Sequence, residues 1–169
     1  MTGDIFRSTL AVMLLAVAWV GCGEKDQAQA VRALIEKGAG MAERHEIGNL
    51  MDLAAKAFTA NPGNHSVAEV RGILFAAFRH YGDFDIRYPR PSVTLEEGAG
   101  GASAVIHFMI VRRDYDIPGL KELYDDPQRW LKLAGEKADL YQLKLDLTND
   151  SGQWRVRQAT LEGFKGWGF

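Results

Sequence analysis

The spacing of apolar residues changes at Gly82, and no other feature limits the possible folds as strongly. Before Gly82, apolar residues recur every three or four positions, which predicts three helices, over residues 24–47, 49–58 and from Ser66 to Gly82. After it, apolar residues alternate with polar ones or run without a break, which predicts about four antiparallel strands. Helices followed by strands predict an α+β domain, with the helices packed on one face of the sheet.

Each predicted helix has an apolar side that can face the sheet. Ser66 and Glu69 have the spacing of a capping box, which defines the start of the third helix, and Gly82 is a suitable end. The apolar stripes of the first two comprise Val31, Leu34, Ile35, Gly38, Met41, Ala42 and His45, and then Leu50, Leu53, Ala54, Ala57 and Phe58.

The strand patterns differ in how many of their faces are apolar. "FDIRY" is followed by Pro89 and Pro91, which lack a backbone donor, so this strand should lie at an edge or bend there. "ASAVIHFMIV", residues 102–111, is apolar on both faces and predicts a covered central strand.

The last two predicted strands form a hairpin. A tight loop at Asp150-Ser151 would pair Leu147 with Trp154, and Asp146 with Arg155. A slip of one residue would put Arg155 on the buried face, so the alternation itself selects the register.

A helical excursion, residues 114–136, separates the second and third predicted strands. Its pattern indicates two short amphipathic helices divided by Pro127. It could cover the outer face of the central strand or act as a lid, and a partner subunit is the alternative cover. The apolar residues that would do this are Leu120, Leu123, Tyr124, Trp130 and Leu131.

The start of the chain, "STLAVMLLAVAWVGCGEKDQAQA", places the only cysteine, Cys22, directly after an apolar run. This run is too short for a comfortable transmembrane helix but has the length of a signal-peptide core. The segment resembles a bacterial lipoprotein signal peptide, although Trp19 stands where Leu is usual. The resemblance implies removal of residues 1–21, lipidation of Cys22 and a short tether over 22–26. The alternatives are an uncleaved signal anchor or a plain secretory signal.

Gly23 bears on where such a lipoprotein would reside. Because it is not Asp, the resemblance implies sorting to the outer membrane, with the domain facing the periplasm, rather than retention in the inner membrane. The protein would then be attached to the membrane through its lipid anchor.

The order of elements resembles the nuclear-transport-factor-2-like superfamily, which includes ketosteroid-isomerase-like and SnoaL-like domains. The resemblance covers residues 27–164, with 165–169 as a tail, and includes the closing strand "GQWRVRQATLE". It implies three helices wrapped by a strongly curved sheet to form a cone with a pocket. Residues 59–65 leave little room for the hairpin that many relatives carry between the second and third helices.

A pocket in such a cone would be lined by aromatic and titratable side chains, for which the candidates are His45, Tyr81, His107, Tyr141 and Trp154. His107 or His45 could transfer protons, because histidine titrates near neutral pH. Each could equally be a core histidine bonded to a neighbouring group, and the aromatic residues could simply pack.

Several classes of function lack sequence support. No spacing of His, Cys or carboxylates matches a metal site and no glycine motif matches a phosphate loop, so neither metal nor cofactor is expected. The net charge of −2 gives no bulk attraction to nucleic acid.

The expected function is non-catalytic binding of a small apolar ligand or an envelope protein partner. The alternatives are an isomerase or lyase that uses a pocket histidine, and a homodimer joined by the outer sheet faces.

Overall fold

The computed structural model describes residues 20–98, 100–114, 125, 126, 128, 129, 132 and 138–163. The region assigned to the signal peptide therefore lies almost entirely outside the described residues, as does the C-terminal tail. The helices are α1 (Val20–Glu43), α2 (Ile47–Met51) and α3 (Val67–Tyr81). The strands are β1 (Ala54–Asn61), β2 (Phe84–Arg87), β3 (Ser92–Leu95), β4 (Gly101–Arg112), β5 (Ala138–Asp150) and β6 (Gln153–Gly163).

The strands form one open sheet with the order β1-β6-β5-β4-β2, and β3 pairs with β4 beside β2. Pairing is antiparallel except between β1 and β6, which are parallel. The α+β class is confirmed. The sheet has six strands rather than the four expected, because β1 was read as helix and because β2 and β3 pair with different parts of β4.

The predicted helix over 49–58 is wrong in its second half. Helix α2 ends at Met51, and the chain then extends into β1 beside β6. The amide of Val156 donates to the carbonyl of Leu53 at 2.9 Å, where the strands begin to pair. The apolar residues of this segment fit the spacing of a helix as well as that of a strand. Pairing with a strand distant in sequence selects the extended form.

The first helix ends four residues earlier than predicted, at Glu43. His45 adopts φ of 57°, and its amide donates to the carbonyl of Ala42 at 2.9 Å. The amide of Glu46 donates to Met41 at 2.9 Å, which completes a Schellman ending. A non-glycine residue thus occupies the left-handed position, so the sequence carried no glycine to signal this end.

Helix α3 has the predicted limits. The Ser66 hydroxyl accepts from the Glu69 amide at 3.5 Å, and the Glu69 carboxylate accepts from the Ser66 amide at 2.7 Å. Gly82 follows the last turn with φ of 63°, a conformation that glycine adopts without strain. The capping box therefore determines where this helix begins, and Gly82 where it ends.

The segment 89–91 bends the chain at the edge of the sheet, as the prolines predicted. Strand β2 pairs with the end of β4, where Phe84 lies opposite Arg112, and β3 pairs with its start, where Val93 lies opposite Ala104. The Ile86 amide, on the free edge of β2, donates to the Glu43 carboxylate at 2.7 Å. Helix α1 thereby satisfies a donor on this edge.

The β5–β6 hairpin differs from the prediction in its register. Its turn is Ser151-Gly152, with positive φ at both residues, and Leu147 pairs with Val156 rather than Trp154. Arg155 lies opposite Thr148 and not Asp146. From the turn to the β-bulge beside Asp146 and Leu147 the shift is two residues. Side chains alternate with a period of two, so the predicted buried face is unchanged over this part of the hairpin.

Among the described residues, two clusters of buried side chains lie along the interface between helices and sheet. The larger contains Val31, Ala102, Ala104, Ile106, Leu145, Leu147 and Trp154. The smaller contains Ala42, Phe78 and Phe84, where the end of α1 meets α3 and β2.

Strand β4 is central, as predicted, and its inner face is buried at Ala102, Ala104 and Ile106. On its outer face, Val105 and Met109 are only half-buried among the described residues. The segment expected to cover this face, 114–136, lies mostly outside the described residues. All five of its apolar candidates, Leu120, Leu123, Tyr124, Trp130 and Leu131, are among those that the structure does not describe.

Candidate functional site

Three polar side chains meet where α3 ends and β5 begins. The hydroxyl of Tyr81 donates to Oδ2 of Asp139 at 2.6 Å and lies 2.8 Å from the hydroxyl of Tyr141. We call Tyr81, Asp139 and Tyr141 the tyrosine–aspartate cluster. It brings together two of the five predicted pocket residues.

The fold positions these side chains through two independent elements. Tyr81 is the last residue of α3, which the capping box and Gly82 hold at a defined length. Asp139 and Tyr141 are two residues apart on β5, so both point to the face that the helices cover. They lie opposite Ile110 and Phe108 of β4, respectively.

An apolar wall surrounds the cluster. The ring of Phe108 stacks on Tyr141 with centroids 5.5 Å apart, and Phe84 meets Tyr81 edge-on at 5.9 Å. Leu161 of β6 lies opposite Leu143 and therefore shares its face, yet it remains 43% exposed. The inner face of the sheet is thus open to solvent beside the cluster, whereas it is filled at the larger core cluster.

Burial raises the pKa of the Tyr81 phenol above its ordinary value, and the hydrogen bonds with Asp139 and Tyr141 raise it further. Desolvation disfavours phenolate, and the adjacent carboxylate opposes a second negative charge. Tyr81 therefore stays protonated at physiological pH and remains a hydrogen-bond donor.

The two predicted pocket histidines lie apart from the cluster and from each other. His45 stacks on Phe78 at 5.1 Å between ring centroids and contacts Phe84 at 5.4 Å. His107 is exposed on the outer face of the sheet, where its Nε2 lies 2.6 Å from Nε2 of Gln142. Within the described residues, which include all four histidines of the chain, no histidine is hydrogen-bonded to a carboxylate.

Trp154 lies at the opposite end of β5 from the tyrosine–aspartate cluster. Its ring is buried, and its Nε1 donates to Oε1 of Gln27 at 3.1 Å. Nδ2 of Asn149 donates to the same oxygen at 3.3 Å. Trp154 therefore closes the core and does not join the other predicted pocket residues.

An open groove of about 680 Å³ runs past Trp154, between α1 and the start of β6. Residues of α1 between Ala30 and Met41 line one side, and Asn49, Asp52 and residues 152–155 line the other. Nη1 of Arg155 donates to the carbonyl of Asp52 at 2.8 Å across one end. The lining of the groove mixes charged side chains with small and large apolar ones, and it has no convergent set of polar groups like that of the tyrosine–aspartate cluster.

Sequence reasoning missed Asp139, which anchors the cluster. The available signal was its position two residues before Tyr141, at the start of a strand whose next inner-face residues, Leu143, Leu145 and Leu147, are apolar. Among the described residues, no group of His, Cys, Asp and Glu has the arrangement of a metal site. Over the same part of the chain, no helix is long and apolar enough to cross a membrane.

No protein-family model matches the chain, and no curated protein sequence matches it. Solved structures do match. An NTF2-like protein with a cystatin-like fold from Novosphingobium aromaticivorans is 13% identical, with a TM-score of 0.59, and covers 99% of this chain and 95% of its own. An NTF2-like protein of unknown function from Pseudomonas putida is 11% identical over 82% of this chain and 87% of its own, with a TM-score of 0.62.

A putative scytalone dehydratase from Novosphingobium aromaticivorans is also similar, at 10% identity over 81% of this chain and 83% of its own, with a TM-score of 0.59. Identities this low carry the fold and not the activity. The curved open sheet, the helices on its inner face and these structural matches agree with the resemblance seen in the sequence. The chain has the cystatin-like, nuclear-transport-factor-2-like fold.

Proposed function

We propose that the mature protein is a lipid-anchored protein of the bacterial envelope, held at the outer membrane and facing the periplasm, that binds a small, mostly apolar molecule. The observation that carries the binding role is the tyrosine–aspartate cluster, a convergent polar group at the edge of an open apolar wall. Small-molecule sites are mostly apolar concavities in which a few polar groups fix the ligand's orientation.

Packing at the two ends of β5 supports this location. Leu161 is 43% exposed on the helix-facing side of the sheet, so apolar surface is available next to Tyr141. At the other end, Leu147 and Trp154 are buried in the larger core cluster, and the groove that passes Trp154 has no comparable set of hydrogen-bonded polar groups. A ligand that covers Leu161 would gain roughly 25 cal/mol for each Å² of apolar surface removed from water.

Native mass spectrometry tests the proposal on protein purified from its own host's membranes in mild detergent. We expect a chain that begins at Cys22 and carries acyl groups, with a small molecule bound to part of the population. Tyr141→Phe should retain less of that molecule than the wild type, and Tyr88→Phe, which removes a phenol outside the cluster, should retain as much. Equal retention by both variants would place the ligand elsewhere and contradict the proposed site.

The anchor has a separate test. Cys22→Ser should abolish fatty-acid labelling and leave unprocessed precursor, because the thiol is the proposed lipid acceptor. Gly23→Asp should keep the label but move the protein to the inner-membrane fraction. Normal labelling of Cys22→Ser would refute the lipid anchor without bearing on the ligand site.

An enzymatic role is the second candidate, supported by the phenol–carboxylate pair and by the putative dehydratase among the similar structures. In that case Tyr81, rather than a histidine, would be the group nearest the chemistry, since His45 and His107 have no carboxylate partner in the described residues. Turnover of the co-purified molecule by the wild-type protein, lost in Tyr81→Phe, would favour catalysis over simple binding.

A further inference from the structure

The tyrosine–aspartate cluster has more free hydrogen-bond acceptors than free donors, and this limits which ligands it can bind. A carboxylate can only accept hydrogen bonds, so the 2.6 Å contact uses the single hydroxyl hydrogen of Tyr81. In the 2.8 Å contact between the two phenols, Tyr141 must then be the donor. Both phenolic hydrogens are therefore used inside the cluster.

The hydrogen-bonding groups of the cluster that remain free are acceptors. Among the residues that the structure describes, Oδ1 of Asp139 has no hydrogen-bond partner, and Asp139 takes part in no ion pair. The hydroxyl group of Tyr141 donates to Tyr81, and its oxygen keeps free lone pairs. Resting on the proposed function above, we infer that the ligand presents a hydrogen-bond donor, a hydroxyl or an ammonium group on an apolar or aromatic body, to Asp139 and Tyr141.

The same arrangement disfavours acceptor-only ligands. A ketone or an ether would meet only lone pairs at Asp139, and a carboxylate would also meet its negative charge. The raised pKa of Tyr81 keeps its proton in place, so the phenol remains the donor to Asp139. Tyr141 could donate to such a ligand only by breaking its bond with Tyr81, which lowers the affinity.

A series of naphthalenes substituted at one ring carbon provides the test, because the apolar body stays constant. The probes are naphthol, methoxynaphthalene, acetylnaphthalene, naphthoate and naphthylmethylamine. Binding to the full chain is measured by titration calorimetry in a single detergent, with empty micelles as the blank. Naphthol should bind about tenfold or more tightly than methoxynaphthalene, the range for a hydrogen bond to a charged group.

The amine separates the two sources of the donor. If naphthylmethylamine binds more tightly than naphthol, the natural ligand is a cation; the reverse order indicates an alcohol or phenol, and either order supports a donor. Equal affinities for naphthol and methoxynaphthalene, or tightest binding of naphthoate, would overturn the inference. Failure of every probe to bind would instead count against the proposed apolar site.

Variants make the assignment specific to Asp139. Asp139→Asn exchanges an acceptor for a group that also donates, so the preference for naphthol should fall to about threefold or less and acetylnaphthalene should gain. Asp146→Asn makes the same chemical change on the outer face of β5 and should leave the preference intact. If Asp139→Asn does not fold, Tyr141→Phe, which removes the other acceptor, should also weaken the preference, and an unchanged preference there would overturn the inference.

Discussion

The two ends of β5 treat their polar groups in opposite ways. At the Trp154 end, Oε1 of Gln27 accepts from both Trp154 and Asn149, so the polar groups bond to one another. At the Tyr81 end, the hydrogen bonds end at Asp139, which is exposed and has accepting capacity left. Asp139 and Asn149 are about 34 Å apart along β5 by its rise per residue. The first end has the features of a core and the second has those of a binding site.

The physical difference lies in burial. Unsatisfied polar groups are costly inside a core, so the Trp154 end can hold only groups that are paired within the chain. The Tyr81 end is half-exposed, which lets water or a ligand complete its hydrogen bonding. The predictions below test whether stability resides at one end and function at the other.

The largest effect should come from Trp154→Ala. Trp154 is 8% exposed and belongs to the larger core cluster, so its loss should lower the free energy of unfolding by roughly 3–5 kcal/mol. Arg155→Ala, at the adjacent position, should cost about 1 kcal/mol, because it removes the hydrogen bond from Arg155 to the carbonyl of Asp52. Urea melts measure both, and a larger loss for Arg155→Ala would contradict the assignment of this end as core.

Tyr81→Phe should have a smaller effect on stability, about 1–2 kcal/mol, because it removes two hydrogen bonds from a half-exposed cluster while keeping the ring contact with Phe84. Denaturant melts at neutral pH measure the loss. A cost equal to that of Trp154→Ala would mean that this end is also part of the core, and the contrast between the ends would fail.

Ser66→Ala should cost about 1 kcal/mol, since it removes the cap of the helix that carries Tyr81. The Ser66 amide and hydroxyl hold the pKa of Glu69 below its ordinary value. The stability that these bonds to the Glu69 carboxylate contribute is present above the pKa that Glu69 has in the unfolded chain. It is lost as pH falls through the lower pKa that Glu69 has in the folded protein. The difference between wild type and Ser66→Ala should therefore shrink in acid, and a difference that grows there would contradict the capping box.

The smallest effect concerns alkaline pH. The pKa of Tyr81 is higher in the folded protein than in the unfolded chain, where it is about 10. The stability that Tyr81 contributes is therefore complete below about pH 10 and declines as pH rises above that value. Wild type should lose about 0.5 kcal/mol more than Tyr81→Phe between neutral pH and pH 10.5, after discounting for partial exposure. Parallel pH profiles for the two proteins would show that Tyr81 titrates as an ordinary phenol.

Local signals predicted the parts of the fold that local interactions form. The limits of α3 followed from Ser66, Glu69 and Gly82, since a capping box and a terminal glycine act within one helical turn. The buried face of the β5–β6 hairpin was predicted although its register was not. Alternation survives a two-residue shift, whereas the turn at Ser151-Gly152 determines which residues pair.

The candidate site was only half predictable. Tyr81 and Tyr141 were named for their chemistry, and the fold brings their hydroxyls within 2.8 Å. Asp139 was missed because a carboxylate at the start of a strand looks like any solvated residue until α3 places Tyr81 against it. His107 was a reasonable candidate on an apolar strand. Side chains alternate between the two faces along β4, however, and the side chain of His107 lies on the outer face.

By itself, the sequence determined the α+β class, the third helix, the two faces of the last strands and the cone-like fold that the resemblance implied. Only the tertiary structure decided that residues 54–61 form a strand, that α1 stops before His45, and that Asp139 joins the two tyrosines. The pairing of Ala54 with Val156 and the contact of Tyr81 with Asp139 join residues far apart in the chain. Periodicity and capping report hydrogen bonds among near neighbours, so interactions between distant segments leave no comparable pattern in the sequence.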